Sequence, residues 1–193
     1  MRFGRALSSP RSLFAQSLDT KKPMHFIKLV LPAFLAVVLA VPGMAATKAA
    51  IFPFDIHDAQ QDGEVVPQYN PDDLRRLKLI ADELKTLMEK DGKYSVVDLA
   101  PQAKAVEAAA PFNQCNGCEV AIAKEAGADI AVTGYVDKVS GALINLAIAA
   151  RDTKTGELTK TMSASINGDT DELWLHGVRY LWRNRFNVEA PAK

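Results

Sequence analysis

Among its 193 residues the chain has two cysteines and three histidines, few of the residues from which metal and redox centres are assembled. There is no second C-x-x-C and no pair of histidines three to five residues apart, so a structural zinc site has no ligand set. The histidine that covalent haem attachment demands after C-x-x-C is replaced by Glu119. No G-x-S-x-G turn and no phosphate-cradling glycine loop occurs, which leaves acyl and phosphoryl transfer without a carrier. Also missing is a run of about 20 apolar residues, the length a membrane-spanning helix requires. The sequence shows no repeat at a period of about 20 to 50 residues, which excludes solenoids and propellers.

The apolar run that does occur, residues 29–41, is short and contains Pro32. Lys21, Lys22 and Lys28 precede it, and Pro42-Gly43-Met44-Ala45 follows with small residues for cleavage, the layout of a secretory signal. Residues 1–45 are therefore expected to be an upstream extension and signal peptide, leaving a periplasmic chain from about Ala46. No cysteine lies near the cleavage site, so neither a lipid nor a stable membrane anchor is expected after cleavage. Met24 begins a well-formed signal by itself, which makes it the simplest start. Two alternatives stay open for the residues before it: a long n-region starting at Met1, or an organelle-targeting peptide, given Arg2, Arg5 and Arg11 among serines with Asp19 as the sole acid.

Loss of this segment removes six basic residues and Asp19 from a balanced 23 and 23, leaving 17 basic and 22 acidic residues, a net charge near −5. No basic stripe interleaved with aromatics remains, which argues against nucleic acid as partner. Residues 46–190 are long enough for a single domain with its own core and need no disulfide scaffold.

Within that domain the sequence predicts alternating strands and helices. Residues 48–54 (KAAIFPF) suit a buried strand ending near Pro53, and residues 55–69 read as a long polar loop. Asn70-Pro71-Asp72-Asp73 combines an N-cap, a proline at the first helical position and acids in the first turn. Leu74, Leu77, Ile80, Leu84, Leu87 and Met88 then form one apolar stripe, expected to pack on the sheet, and Gly92 closes the helix. Residues 94–99 read as a strand, 101–110 and 119–126 as short helices, and 130–139, 142–152 and 158–167 as three strands joined by tight turns, hence antiparallel. A last helix over 170–187 places Leu173, Trp174, Val178, Leu181 and Trp182 on its apolar face. The fold class is α/β: a mixed sheet with parallel strands joined by helical crossovers, followed by an antiparallel meander, packed with helices. Residues 51–54, 96–97 and 130–132 are expected to be its central parallel strands.

The motifs IFPFD, YSVVD, AGADIAVTGYV and RDTKTGEL, in this order, resemble the α/β module of curli-secretion-type lipoproteins and the N-terminal domain of the Tol-system propeller protein. CNGCE, VDKVSG and NGDTDELW resemble a proteobacterial family of small secreted proteins of uncharacterised function. The first resemblance implies an envelope module that docks to other proteins. Neither implies a catalytic residue, and the propeller repeats and lipid-attachment cysteine of the relatives are missing.

Cys115-Asn116-Gly117-Cys118 is the one motif with a chemical rationale. In an oxidising compartment these cysteines are expected to pair as a local staple; a redox pair is the alternative, since a cysteine at a helix N-terminus has its thiolate favoured. Asp55, His57 and Asp58 follow the first strand, at the carboxyl edge where α/β sheets place ligands, and mark a candidate ligand loop. Asn167-Gly168-Asp169-Thr170-Asp171-Glu172 superficially resembles a calcium-binding run but lacks the distal Glu, and its acids have a sufficient role in capping the last helix. No metal, cofactor or catalytic residue is expected. The expected function is an exported, periplasmic, non-enzymatic module whose partner is another envelope protein. A thiol-disulfide protein using Cys115 and Cys118, and a soluble small-ligand carrier, are the alternatives.

Overall fold

The computed structural model describes residues 45–64 and 68–187; the expected extension and export signal through residue 44 lie outside them. The described residues form a sheet of six strands with helices on both faces. In chain order these are β1 (Thr47–Ile51), β2 (Asp55–Asp58), α1 (Pro71–Asp91), β3 (Tyr94–Val96), α2 (Ala103–Ala109), α3 (Cys118–Glu125), β4 (Ile130–Lys138), β5 (Leu143–Asp152), β6 (Leu158–Asn167) and α4 (Asp171–Leu181). The strand order is β3-β1-β4-β5-β6, and β2 pairs with β4 beyond the end of β1. β1 lies parallel to β3 and β4, β2 parallel to β4, and β4-β5-β6 is an antiparallel meander.

Alternation along β1 feeds two cores. Ala49 and, beyond the strand, Phe54 face one side with Leu77, Ile80, Leu84 and Met88 of α1 and Trp174, Val178 and Leu181 of α4. Ala50 and Phe52 face the other, with Ile122 and Ala123 of α3 and the ring of Phe112. α1 starts where the sequence dictates, the Asn70 side chain accepting the Asp72 N–H at 2.9 Å. It ends at Gly92, whose φ of +75° is the left-handed conformation glycine adopts without strain.

Three expectations change. Asp55 to Asp58 are a strand and not the start of a loop, because the hydrogen-bonding partner of this polar stretch, β4, lies about eighty residues further on. β3 is an edge strand, not a central one, since β1 alone pairs with it. Leu74 leaves the stripe and is 50% exposed, because it faces the gap that opens where β1 and β3 end. The last helix changes character at Trp182, where a wider turn carries the chain to Phe186 and keeps both rings buried.

Candidate functional site: a cleft at the carboxyl ends of the parallel strands

β1 stops at Ile51 and β3 at Val96, both pointing toward the same edge of the sheet. Pro53 has no N–H for a ladder, so pairing lapses between β1 and β2. With α1 on one face and α2 on the other, a cleft of about 600 Å³ remains between them at this edge. Phe52, Val97 and Leu99 supply its floor, Ala81 and Val106 its walls, and the exposed Leu74 stands at its mouth. The charged Lys78, Lys85 and Glu107 border it.

A second cavity, of about 480 Å³, adjoins the cleft through Phe54, Leu74 and Ala110. Its polar wall comes from parallel pairing of β2 with β4, which sets Asp55 beside Tyr135 and His57 beside Asp137. Asp55 Oδ2 accepts the Asn113 N–H at 2.8 Å. Burial raises the Asp55 pKa above the usual carboxylate value, and the N–H groups of Asn113 and Phe112 offset only part of that. His57 is held at both ring nitrogens, by Asp137 at 2.8 Å on Nδ1 and by Asp62 at 2.8 Å on Nε2. Its hydrogen bonds to Asp137 and then Asp62 raise its pKa above that of a free imidazole, against a smaller effect of burial. Of the three residues in the expected ligand loop, Asp55 and His57 thus share this cavity. Asp58 does not; its Oδ1 accepts the Gln60 N–H at 3.0 Å and caps the short turn after β2.

Cys115 and Cys118 are joined, with sulfurs 2.01 Å apart, and pack against the second core. Glu119 approaches Cys115 Sγ at 3.6 Å and is itself buried and paired with Arg151 at 3.0 Å. Cys115, Cys118 and Glu119 lie close enough to suggest a metal site, but sulfurs bonded to each other are not the thiolates a metal takes.

Sequence reasoning missed a cluster of charges that joins three elements. Lys138 Nζ sits 2.6 Å from Asp73 Oδ2 and 2.9 Å from Asp169 Oδ2, while Arg76 Nη1 lies 3.1 Å from both Asp73 and Asp169. Trp174 Nε1 donates to Asp169 at 3.0 Å, and Asp171 receives Arg75 and Arg76. Asp169, before α4, and Asp171, its first residue, therefore bind the start of α1, and the capping falls to Thr170. The one sequence signal was the pair Asp72-Asp73, whose role at the helix dipole was already sufficient.

The motifs behind the resemblance also have structural duties. In G-A-D, Asp129 accepts the Lys48 N–H at 3.0 Å, and the Thr153 hydroxyl donates to the carbonyls of Ala128 at 2.7 Å and Asp129 at 3.0 Å. In D-x-x-T-G-E, Asp152 Oδ1 accepts the N–H groups of Lys154 and Thr155 at 2.8 Å each and shapes the turn. These residues build the fold and leave the clefts to others.

The described residues thus form an open, mixed α/β domain with a disulfide-closed loop and a pair of adjoining clefts at one sheet edge. Residues 47–186 match the family DUF3280, a protein of unknown function (DUF2380), and the chain belongs to that family. No curated protein matches it. Solved structures similar to it include lipoprotein GNA1162 of Neisseria meningitidis, at 12% identity and a TM-score of 0.47, over 70% of this chain and 95% of that one. The LpoB C-terminal domain of Escherichia coli is similar at 15% identity and a TM-score of 0.43, over 67% and 89%. TolB of Acinetobacter baumannii is similar at 14% identity and a TM-score of 0.40, over 72% of this chain and 28% of TolB. These likenesses bring no site residue to this chain.

Proposed function

We propose that this chain is an exported, non-enzymatic module that binds another protein of the cell envelope through the cleft between α1 and α2. The observation that carries the reading is the make-up of that cleft: an apolar floor of Phe52, Val97 and Leu99, an exposed Leu74 at the mouth, and charges confined to its border. Apolar centres with polar rims are how protein interfaces are built. Export rests on residues 21–45 of the sequence, and no described helix is long and apolar enough to cross a membrane. The disulfide fits a staple better than a redox centre, because the group against Cys115 Sγ is the carboxylate of Glu119, whose cation Arg151 is taken up in that ion pair, whereas reactive thiols lie in cationic surroundings.

Photo-crosslinking from position 74 in living cells tests the reading. The expected result is one discrete adduct in the envelope fraction, lost when Val97→Asp puts a charge on the cleft floor of an otherwise folded protein. An adduct unaffected by Val97→Asp, or no adduct, overturns it. N-terminal sequencing of the exported protein should begin within a few residues of Ala46; a chain retained in the membrane with Met24 in place overturns the export reading.

A further inference from the structure

The described residues include one carboxylate that is drawn out of water at a cavity wall with no cation to balance it. Asp55 is half-buried, its Oδ2 is occupied by the Asn113 N–H at 2.8 Å, and no basic side chain among the described residues forms an ion pair with it. The two acids that are fully buried among the described residues are matched by cations, Asp73 by Lys138 and Arg76 and Glu119 by Arg151. Around Asp55 the cavity is lined by Tyr69, Tyr135 and the largely buried Phe54. Aromatic faces beside a carboxylate form a receptor for an ammonium or guanidinium group, since the ring quadrupole and the anion both attract a cation in a partly desolvated site.

The border of the adjoining cleft has the same sign. Asp82 is paired with Lys78 at 2.5 Å, which leaves Asp98 and Glu107 against Lys85 on that border, with Asp55 next door. Further along β2, His57 is already enclosed by Asp62 and Asp137, so it adds no free positive charge. The two cavities share Phe54, Leu74 and Ala110, and one occupant can therefore reach both.

We propose that Asp55, Tyr69 and Tyr135 form a cation pocket that receives a lysine or arginine side chain of the partner protein, next to apolar residues of the same segment lodged between α1 and α2. This deepens the reading of the cleft as a protein-binding site and rests on it. The basic residue selects among partners, and the apolar cleft supplies most of the contact.

Selection from a random peptide library displayed on phage, against the full exported protein, tests the proposal. The expected result is a set of peptides that share one Lys or Arg adjacent to large apolar residues. Asp55→Asn keeps the shape and can still accept the Asn113 N–H; it should weaken the selected peptides by about tenfold or more, as loss of a charge-assisted hydrogen bond does. Replacing the basic residue by norleucine should give the same loss, and the two changes together should give no further loss. Tyr69→Leu should weaken the basic peptides and spare their norleucine counterparts. Thermal unfolding of each variant confirms that it is folded.

Selected peptides without a basic residue, bound equally by Asp55→Asn and weakened by Val97→Asp, overturn the cation pocket and leave the protein-binding cleft standing. Failure to select any peptide overturns both. Binding of free n-hexylammonium, lost in Asp55→Asn, without peptide binding overturns the partner-protein source and points to a small amine instead.

Discussion

Lys138 Nζ and Asp73 Oδ2 lie 2.6 Å apart, with Asp73 only 1% exposed and Lys138 7%. This pair ties the end of β4 to the first turn of α1, and through Asp169 it reaches the start of α4. Burial alone would lower the Lys138 pKa, yet the hydrogen bonds it donates to Asp73 and Asp169, with the charges of those carboxylates, outweigh it and leave the pKa raised. Lys138→Met leaves Arg76 as the one cation bonded to Asp73 and Asp169, and Asp171 engages it as well. Because breaking a buried pair strands a charge, urea unfolding should show a loss of about 3 to 5 kcal/mol. A change under about 1 kcal/mol would mean that water reaches the cluster.

Gly134 faces Phe54 so closely that an added Cβ would stand 2.3 Å from the ring. Phe54 is 5% exposed and sits where pairing passes from β1 to β2, so it has little room to retreat. Gly134→Ala should destabilise the fold by about 1 to 3 kcal/mol through overpacking, and Gly134→Ala with Phe54→Leu should recover part of it. Thermal or urea unfolding of the single and double variants measures both.

Asp55 and His57 give pH dependences of the same sign in stability, each in its own pH window. A raised carboxylate pKa means that the contribution of Asp55 is fully present below its unfolded value and is lost as pH rises through the folded one. Asp55→Asn should therefore unfold at a higher temperature than the parent at pH 7, with the gain shrinking toward pH 4. For His57 the raised pKa favours the imidazolium, so its contribution is fully present below about pH 6.5 and fades as pH rises through the folded pKa. The ring is 42% exposed and screened, so His57→Gln should lose about 1 kcal/mol or less at pH 5.5 and less still at pH 8.5. Melting curves across that range read both effects.

The loop closed by Cys115 and Cys118 spans four residues, too few to restrict the unfolded chain greatly. Replacing both by Ser should lower stability by about 2 kcal/mol on the chain-entropy estimate and leave the cleft's binding intact. Exchange with glutathione should leave the bond largely oxidised at potentials above about −300 mV. Ready reduction at oxidising periplasmic potentials, with loss of function in Cys115→Ser, would move the protein to the thiol-disulfide class.

Local rules made the helices and the meander legible. Asn70, Pro71 and Gly92 bound α1 through backbone chemistry that acts over a few residues, and the tight turns after β4 and β5 admit only antiparallel strands. Trp174 and Trp182, eight residues apart on one face of the last helix, are buried as their spacing predicts, while Tyr180 is exposed. The bond between Cys115 and Cys118 was readable from their spacing. The motifs of the resemblance were readable as a pattern, though not as the interlocking hydrogen bonds of Ala128, Asp129 and Thr153.

What tertiary structure alone decided is everything that depends on a partner far along the chain. β2 is a strand because β4 offers it a ladder, with Asp55 opposite Tyr135, and its polar sequence carries no periodic signal of that pairing. Lys138 and Asp73 meet across 65 residues, and Leu74 is left exposed because it faces the gap beyond the ends of β1 and β3. The sequence determined the helices, the turns and the residues able to carry charge. Their juxtaposition into a buried ion cluster, an unmatched Asp55 and a cleft open at one sheet edge followed from strand order and packing, because Coulombic and apolar contacts act through space and not along the chain.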